Sequence, residues 1–268
     1  MKIRTDSIND NKLVRSEKKL FGIANEYPEG ATTDWHTHER DQFLAVFGGV
    51  VTVSTESGIW VVPPERAVYI PHDTLHKIEI TDNAFVKSLF IDTSIKFDAP
   101  LSSTVIQISP LVKELILSIF NLPQAFEEEG ANGRLVSVVF DQIALLPTEP
   151  LYLPTTEEPR VKRILDALYK DPSIQFELAR WAKELNVSPR TLTRLFEKEL
   201  SMSFVRCRHQ IRMHAALRGL AVGKPVGVVA LDVGYQSQSN FTMLFKRFFG
   251  CTPTQYFESS ALVTVTSK

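Results

Sequence analysis

The chain has 268 residues, 44% of them hydrophobic, and 30 Lys and Arg against 31 Asp and Glu give a net charge of −1. That length suggests two domains, and the apolar content is enough for two cores, which argues against a disordered or fibrous chain. The two cysteines, Cys207 and Cys251, make neither a disulfide framework nor a CxxC metal motif, and no apolar run is long enough to span a membrane. Met1 to Lys12 are polar and charged, without the apolar core of a signal peptide, so the chain reads as cytoplasmic. The neutral total conceals an asymmetry. Residues 1–154 hold 13 Lys and Arg against 21 Asp and Glu, a balance of −8, whereas Phe176 to Phe249 hold 12 against 5, a balance of +7. A basic segment attracts phosphates through counterion release, although a solvated helical surface has the same composition. An acidic front half is a poor DNA surface.

The front half reads as strands. Val50–Val53, Gly58–Val62 and Ala67–Ile70 are short β-branched and aromatic runs separated by Gly and Pro-Pro. This spacing predicts an antiparallel sandwich or barrel rather than βαβ units. Within it, Gly30 is followed by His36-Thr37-His38, Gln42 and Gly49, and further on by Pro71-His72-Asp73-Thr74-Leu75-His76. The first group matches the first cupin motif with Gln42 in place of Glu; the second is a partial second motif with Asp73 in place of Gly. Residues 15–95 thus resemble the small-molecule-sensing cupin domain of AraC-type regulators. On a strand His36 and His38 share a face. With His76 and Gln42 they would form a divalent metal site for Zn, Ni or Fe(II), although a neutral Gln is a poor oxygen ligand. The alternative is a hydrogen-bonding cluster in an effector pocket. Trp35, Trp60 and Tyr69 are candidate pocket walls, with Arg66 at the rim, and ordinary core packing is the competing role of each aromatic. His72 reads as a surface turn residue, and His209 and His214 fall on a helix outside the cluster.

Two helices are expected next. Ser109-Pro110 is a cap signal opening a helical period through Phe120, and a second period runs from Arg134 to Leu146, with Glu127-Glu128-Glu129-Gly130 as a charged loop between them. The resemblance implies that these helices dimerise; packing on their own barrel is the other reading. Pro147, Pro150, Pro154 and Pro159 predict an irregular interdomain linker.

The C-terminal third carries one pattern twice. Ser188, Leu192 and Phe196 follow the polar break Asn186-Val187, and Ser237, Phe241 and Phe245 repeat that spacing 49 residues later, after Gly234-Tyr235. Each serine can cap a helix by accepting an orphan backbone N–H, and Pro189 suits a first helical position. Residues at i+4 and i+8 then share an inner face, leaving a polar outer face able to enter a DNA major groove.

The surrounding residues are specific. Glu177 to Ala182 opens the first unit; the second runs from Val228 through Gly234-Tyr235-Gln236-Ser237 to Phe245-Lys246-Arg247-Phe248-Phe249-Gly250, Thr252-Pro253 and Tyr256. Over about a hundred residues this resembles the DNA-binding domain of the AraC/XylS family of bacterial transcriptional regulators. Ser201 stands where such proteins usually have Gly, and Cys207 where relatives often have Trp. In the first recognition helix Leu192, Leu195 and Phe196 face inward, leaving Arg190, Thr193 and Arg194 for bases. In the second Phe241, Leu244 and Phe245 face inward, leaving Gln238, Ser239, Thr242 and Met243. Met243 replaces the Arg typical of the family, so the second helix is expected to contribute less specificity. Lys246 and Arg247 suit phosphates. Between the units Ser203 to Val222 would be a helix of roughly 30 Å, close to one turn of B-DNA, with Arg212 in its middle tying the two units together.

The expected organisation is a cupin-like effector-sensing β-barrel over residues 1–98 and a helical dimerisation region over 99–148. An all-α domain with two helix-turn-helix units follows over 155–258, then a flexible tail over 259–268. The function expected is a homodimeric, non-membrane regulator binding double-stranded DNA under control of a small molecule or metal. The rivals are a cupin metalloenzyme with a helical appendage, such as a dioxygenase or isomerase, and a constitutive DNA-binding protein whose cupin only dimerises. The sequence names neither the effector nor the operator, nor whether transcription is raised or lowered.

Overall fold

The computed structural model describes residues 19–123, 127, 129–149 and 151–261. The expectations placed on Met1 to Lys12, Glu128, Pro150 and residues 262–268 lie outside the described residues. The chain divides into two compact units, one of residues 1–55 and 60–152, the other of residues 56–59 and 153–268.

The first unit is an antiparallel sheet with two helices. The strands of the chain are β1 (Leu20–Tyr27), β2 (Asp41–Thr55), β3 (Gly58–Val62), β4 (Arg66–Ile70), β5 (His76–Ile91), β6 (Thr104–Gln107), β7 (Thr148–Glu149) and β8 (Tyr152–Pro154), all in the first unit except residues 58–59 and 153–154. The pairing order is β1-β5-β2-β4-β6-β7, with β3 beside β2 and β8. Among the described residues no pairing joins β1 to β7, so the sheet is open and the closed cupin barrel expected from the motifs is not formed.

Both faces of this sheet are covered, and the period of two decides which residue goes where. Phe43, Ala45, Leu89 and Ile91 point one way, into a core completed by Val112 and Ile116 of helix α1 (Pro110–Phe120) and Val139 and Ile143 of helix α2 (Ala131–Ala144). Gly22 of β1 leaves room for the ring of Phe120, which a Cβ there would meet at 2.7 Å. The intervening residues Gln42, Leu44, Ser88 and Phe90 point the other way, into a cavity. The predicted cap of α1 is present, the Ser109 hydroxyl accepting from Val112 N at 3.2 Å. Both helices therefore bury one face on their own sheet.

The proline-rich stretch is more ordered than its composition suggests. Thr148–Glu149 and Tyr152–Pro154 are short strands, and Pro159 opens helix α3 (Pro159–Lys170), capped by the Glu158 carboxylate. A proline at a strand end or first helical position gives up no hydrogen bond, so regular structure survives there.

Apart from the strand residues 58–59 and 153–154, the second unit is helical. After α3 come α4 (Leu178–Glu184), α5 (Pro189–Leu200), α6 (Phe204–Ala221), α7 (Val226–Asp232), α8 (Gln238–Phe249) and α9 (Pro253–Ala261). The last helix continues past Ser259, where a flexible tail was expected. Helix α6 packs against α3, α7 and α9. It buries residues around its circumference, among them Cys207, Ile211, His214 and Leu217. Burial pushes the Cys207 thiol up to about 12, so it stays protonated and inert.

Arg212 is only 4% exposed. Its guanidinium donates through Nε to Pro172 O and through Nη2 to Ile174 O, both at 3.0 Å, and stacks on Tyr235 at 5.4 Å. Gln175 Nε2 donates to Gly234 O at 2.7 Å. The loop entering α4 is thereby tied to the turn between α7 and α8. This is the joining role expected of Arg212.

Two backbone positions in this unit yield stability predictions. Ser201 ends α5 in the left-handed region (φ 52), as Gly250 ends α8 (φ 79). A side chain in that conformation costs about 1–2 kcal/mol, and the extra freedom of unfolded glycine returns about 0.4–1. Ser201→Gly is therefore expected to raise unfolding stability by about 0.5–1 kcal/mol in chemical denaturation; a neutral or destabilising result would refute this account of the cap. Gly234 has φ +83, and a Cβ there would lie 2.9 Å from both Arg212 Nη2 and Ser173 Cα. Gly234→Ala should destabilise by about 2–3 kcal/mol, because strain and overpacking coincide.

Candidate nucleic-acid interface and sensor cavity

Each half of the second unit is a short helix, a tight turn and a longer helix. In the first, α4 ends at Glu184, Asn186 takes a left-handed conformation (φ 53), and Ser188 caps α5 by accepting from Thr191 N at 3.1 Å. In the second, α7 ends at Asp232, Gly234 makes the turn, and Ser237 caps α8 by accepting from Asn240 N at 3.2 Å. The two serines do the same job 49 residues apart. Behind the caps, Leu192, Leu195 and Phe196 are buried on α5, and Phe241 and Phe245 on α8, while Leu244 is half-buried.

The outward faces follow from that packing. Arg190 and Arg194 on α5 are exposed, as are Gln238, Ser239, Met243, Lys246 and Arg247 on α8. Thr193 and Thr242 are only half-buried positions, and the Thr193 hydroxyl donates to Pro189 O at 3.1 Å. That bond turns the Thr193 hydroxyl back onto its own helix. Met243 is 64% exposed, a large apolar side chain held in water on the outer face of α8. Arg190, Arg194, Lys246 and Arg247 form no ion pair among the described residues, so their charges face outward unneutralised.

The first unit brings the three histidines together. Their ring centroids lie 4.2 Å (His36–His76), 5.0 Å (His38–His76) and 6.3 Å (His36–His38) apart. His36 and His38 do not sit on a regular strand: His36 makes an isolated bridge with His76, and the chain around them is irregular. Every Nδ1–H is spent on a backbone carbonyl, that of His36 on Asp34 O, His38 on Arg40 O and His76 on Thr74 O. His38 Nε2 lies 3.1 Å from the Gln42 amide, which on its other side lies 3.1 Å from Ser88 Oγ. A neutral His38 ring fits when Gln42 turns its N–H₂ toward Nε2 and accepts from the Ser88 hydroxyl. Gln42 and Ser88 are diagonal neighbours on paired strands, since Gln42 faces Phe90 and Leu44 faces Ser88.

This geometry corrects the expected metal centre. Among the described residues no group of three or more His, Cys, Asp or Glu side chains could hold a metal ion. His38 Nε2 already has the Gln42 side chain as its hydrogen-bond partner at 3.1 Å, which leaves only His36 and His76 beside it. The walls of the cavity also differ from expectation. Trp35 is 51% exposed, Trp60 is buried against Tyr152 at 5.2 Å, and Tyr69 lies on the helix-facing side of β4 near Phe97. Arg66 is buried and bonded to Glu149 at 2.7 Å, rather than standing at a rim. His36 and Gln42 do line the cavity, and His38 and His76 stand against them. The rest of the lining comes from β1 and β5: Ile23, Asn25 and Tyr27, then Val86, Ser88 and Phe90, with Leu44, Thr33 and Ile78 completing it. Sequence reasoning missed these because neither strand was identified, although Ile23-x-Asn25-x-Tyr27 alternates with the right period.

Burial drives the pKa of His76 down to about 3 from its usual 6.5. Between those values the unfolded chain binds a proton that the folded chain refuses. Stability linked to His76 is thus complete above pH 6.5 and is lost as pH falls toward 3, with a slope approaching about 1.4 kcal/mol per pH unit. His76→Gln should flatten the pH dependence of unfolding in this window; identical slopes in variant and parent would contradict it.

Comparison with known proteins agrees with the paired helical units. A helix-turn-helix domain family matches residues 181–259. The HTH-type transcriptional regulator NimR of Escherichia coli is 35% identical over 225 residues, 84% of this chain and 82% of that protein. The HTH-type transcriptional regulator GadX of E. coli K12 is 32% identical over 113 residues, 42% of this chain and 41% of that protein. The C-terminal domain of AraT, a response regulator from Geobacillus stearothermophilus, is 32% identical with a TM-score of 0.39, covering 42% of this chain and 95% of that one. With two capped recognition helices and a relative this similar along most of both chains, the protein belongs to the AraC/XylS family of helix-turn-helix transcriptional regulators.

Proposed function

We propose that the chain is a sequence-specific regulator that reads DNA with α5 and α8 and changes that binding when a small molecule enters the cavity of its first unit. The observation that carries the DNA half is the pair of serine-capped helices whose outward faces bear unpaired Arg190, Arg194, Lys246 and Arg247. Helix α6, with 18 residues, spans about 27 Å, comparable with the roughly 34 Å turn of B-DNA. Recognition helices spaced in this way suit successive major grooves on one side of a duplex.

The roles divide by chemistry. Arg190 and Arg194 read guanine edges, each bidentate contact contributing about 1–3 kcal/mol of discrimination. Gln238, Ser239, Thr242 and Met243 face bases from α8, Thr193 adds a lesser contact from α5, and Lys246 and Arg247 hold phosphates. The sensing half rests on the cavity between β1, β2 and β5. Homodimerisation through α1 and α2 completes the reading. Leu111 on α1, Val138 on α2 and Leu145 just after α2 are exposed apolar side chains. The protein acts in the cytoplasm, where its DNA lies, and no described helix is long and apolar enough to cross a membrane.

Binding to duplexes selected from a random pool tests the assignment. Arg190→Ala or Arg194→Ala should relax preference at particular base pairs by about 1–3 kcal/mol while the protein stays folded. Lys246→Ala should weaken binding to all sequences alike and lower the salt slope by about one. Equal, sequence-independent losses for all three would sink the division of roles. Residues 155–268 alone should keep the same sequence preference with weaker binding, because a dimer's second set of contacts is gone; a folded fragment without preference would refute it.

A further inference from the structure

Helices α5 and α8 present different chemistry at the same place. On α5, Arg194 stands midway between Leu192 and Phe196, and on α8 Met243 stands midway between Phe241 and Phe245; all four flanking side chains are 0% exposed. At about 100° per residue, a residue two steps from each of two buried neighbours points directly away from the core. Arg194 and Met243 are therefore the outermost side chains of their helices, and both are exposed. They are separated by the same 49 residues as the capping serines Ser188 and Ser237, so they hold equivalent positions in the two units.

One turn before Arg194 stands Arg190, also exposed, so the outer ridge of α5 carries two guanidiniums. One turn before Met243 stands Ser239, and Met243 itself is 64% exposed. A thioether donates no hydrogen bond and accepts only weakly. It cannot answer the N7, O6, O4 or amino groups that base edges display in the major groove, and covering one of them leaves a polar atom unsatisfied. The apolar group displayed there is the C5-methyl of thymine, which cytosine lacks. Met is unbranched and polarizable, so it settles against a methyl without demanding one geometry.

We propose that Met243 is a specificity-determining residue that reads the C5-methyl group of a thymine in the groove entered by α8. The proposal rests on the reading of α5 and α8 as the DNA-binding helices. The binding site is then composite, with guanine under α5 and thymine under α8, about one helical turn or roughly 10 base pairs apart.

Titration of the full chain with the duplex enriched from a random pool tests this, each thymine being replaced in turn by deoxyuridine. Deoxyuridine loses the methyl and keeps every hydrogen-bonding group of thymine. At one thymine, about a helical turn from the guanine read by Arg194, the replacement should weaken binding about fourfold, the equivalent of about 0.8 kcal/mol for one buried apolar carbon. At that position 5-methylcytosine should bind more tightly than cytosine by a similar factor. In Met243→Ser the ratio of thymine to deoxyuridine should fall to about one, and in Met243→Leu it should persist. Met243→Arg should exchange the preference for guanine. The absence of any methyl-sensitive thymine would overturn the proposal, as would a ratio that survives in Met243→Ser or equal binding of cytosine and 5-methylcytosine. Arg194→Ala separates the two claims. If it relaxes a guanine preference while no thymine responds, the helices read DNA and Met243 does not read a methyl; if neither change has any effect, the reading of the helices falls with it.

Discussion

The DNA-binding unit depends on one buried charge. Arg212 has lost its water, and its guanidinium is satisfied by two carbonyls of the loop that enters α4 and by the face of Tyr235 in the turn that enters α8. Because a guanidinium is planar and always charged, it can bridge two loops only in a narrow range of geometries, and removing either partner exposes an uncompensated ion. Gln175 and Gly234 lock the same junction, and Gly234 is there because a side chain would strike Arg212. The separation and direction of α5 and α8 thus follow from a polar junction, with the apolar core of α6 as its support. His209 joins the junction through the Tyr235 hydroxyl at 2.9 Å, and Arg208 reaches Phe176 O at 3.2 Å.

In the other unit one sheet serves two purposes by alternation. Odd-numbered positions such as Phe43, Ala45, Leu89 and Ile91 bury against α1 and α2, and their even neighbours face the cavity. A shift of one residue in the β2–β5 register would send either Gln42 or Ser88 into the helix-facing core and separate the two polar side chains. The hydrogen bonds among His38, Gln42 and Ser88 resist such a shift, so a polar row inside the sheet both fixes register and shapes the site.

Much of this was legible in the residues. Ser188 and Ser237, the apolar steps behind them and the arginines in front of them are local features, and a helix's inner and outer faces follow from its own period. The cap of α1 at Ser109 and the joining role of Arg212 were likewise readable. The cavity was not. Trp35, Trp60 and Tyr69 suit a pocket wall by chemical type, yet type does not say which side of a strand a residue occupies. Strands β1 and β5, which supply most of the lining, carry mixed polar and apolar residues that give a weak signal until their partners are known.

Histidine spacing gave the same partial information. It brought His36, His38 and His76 into one cluster, which their positions around two short motifs foretold. Whether three imidazoles make a metal site depends on where each lone pair points, and that is decided by hydrogen bonds to Asp34, Arg40, Thr74 and Gln42. The sequence by itself determined the paired helix-turn-helix units, their caps and the basic faces they present, because these depend on contacts within a few residues. Only the tertiary structure decided that, among the described residues, the sheet stays open, its cleft is lined without charged side chains and His76 Nε2 finds no partner. Those properties belong to strand pairings between residues far apart in the chain, and no local pattern encodes them.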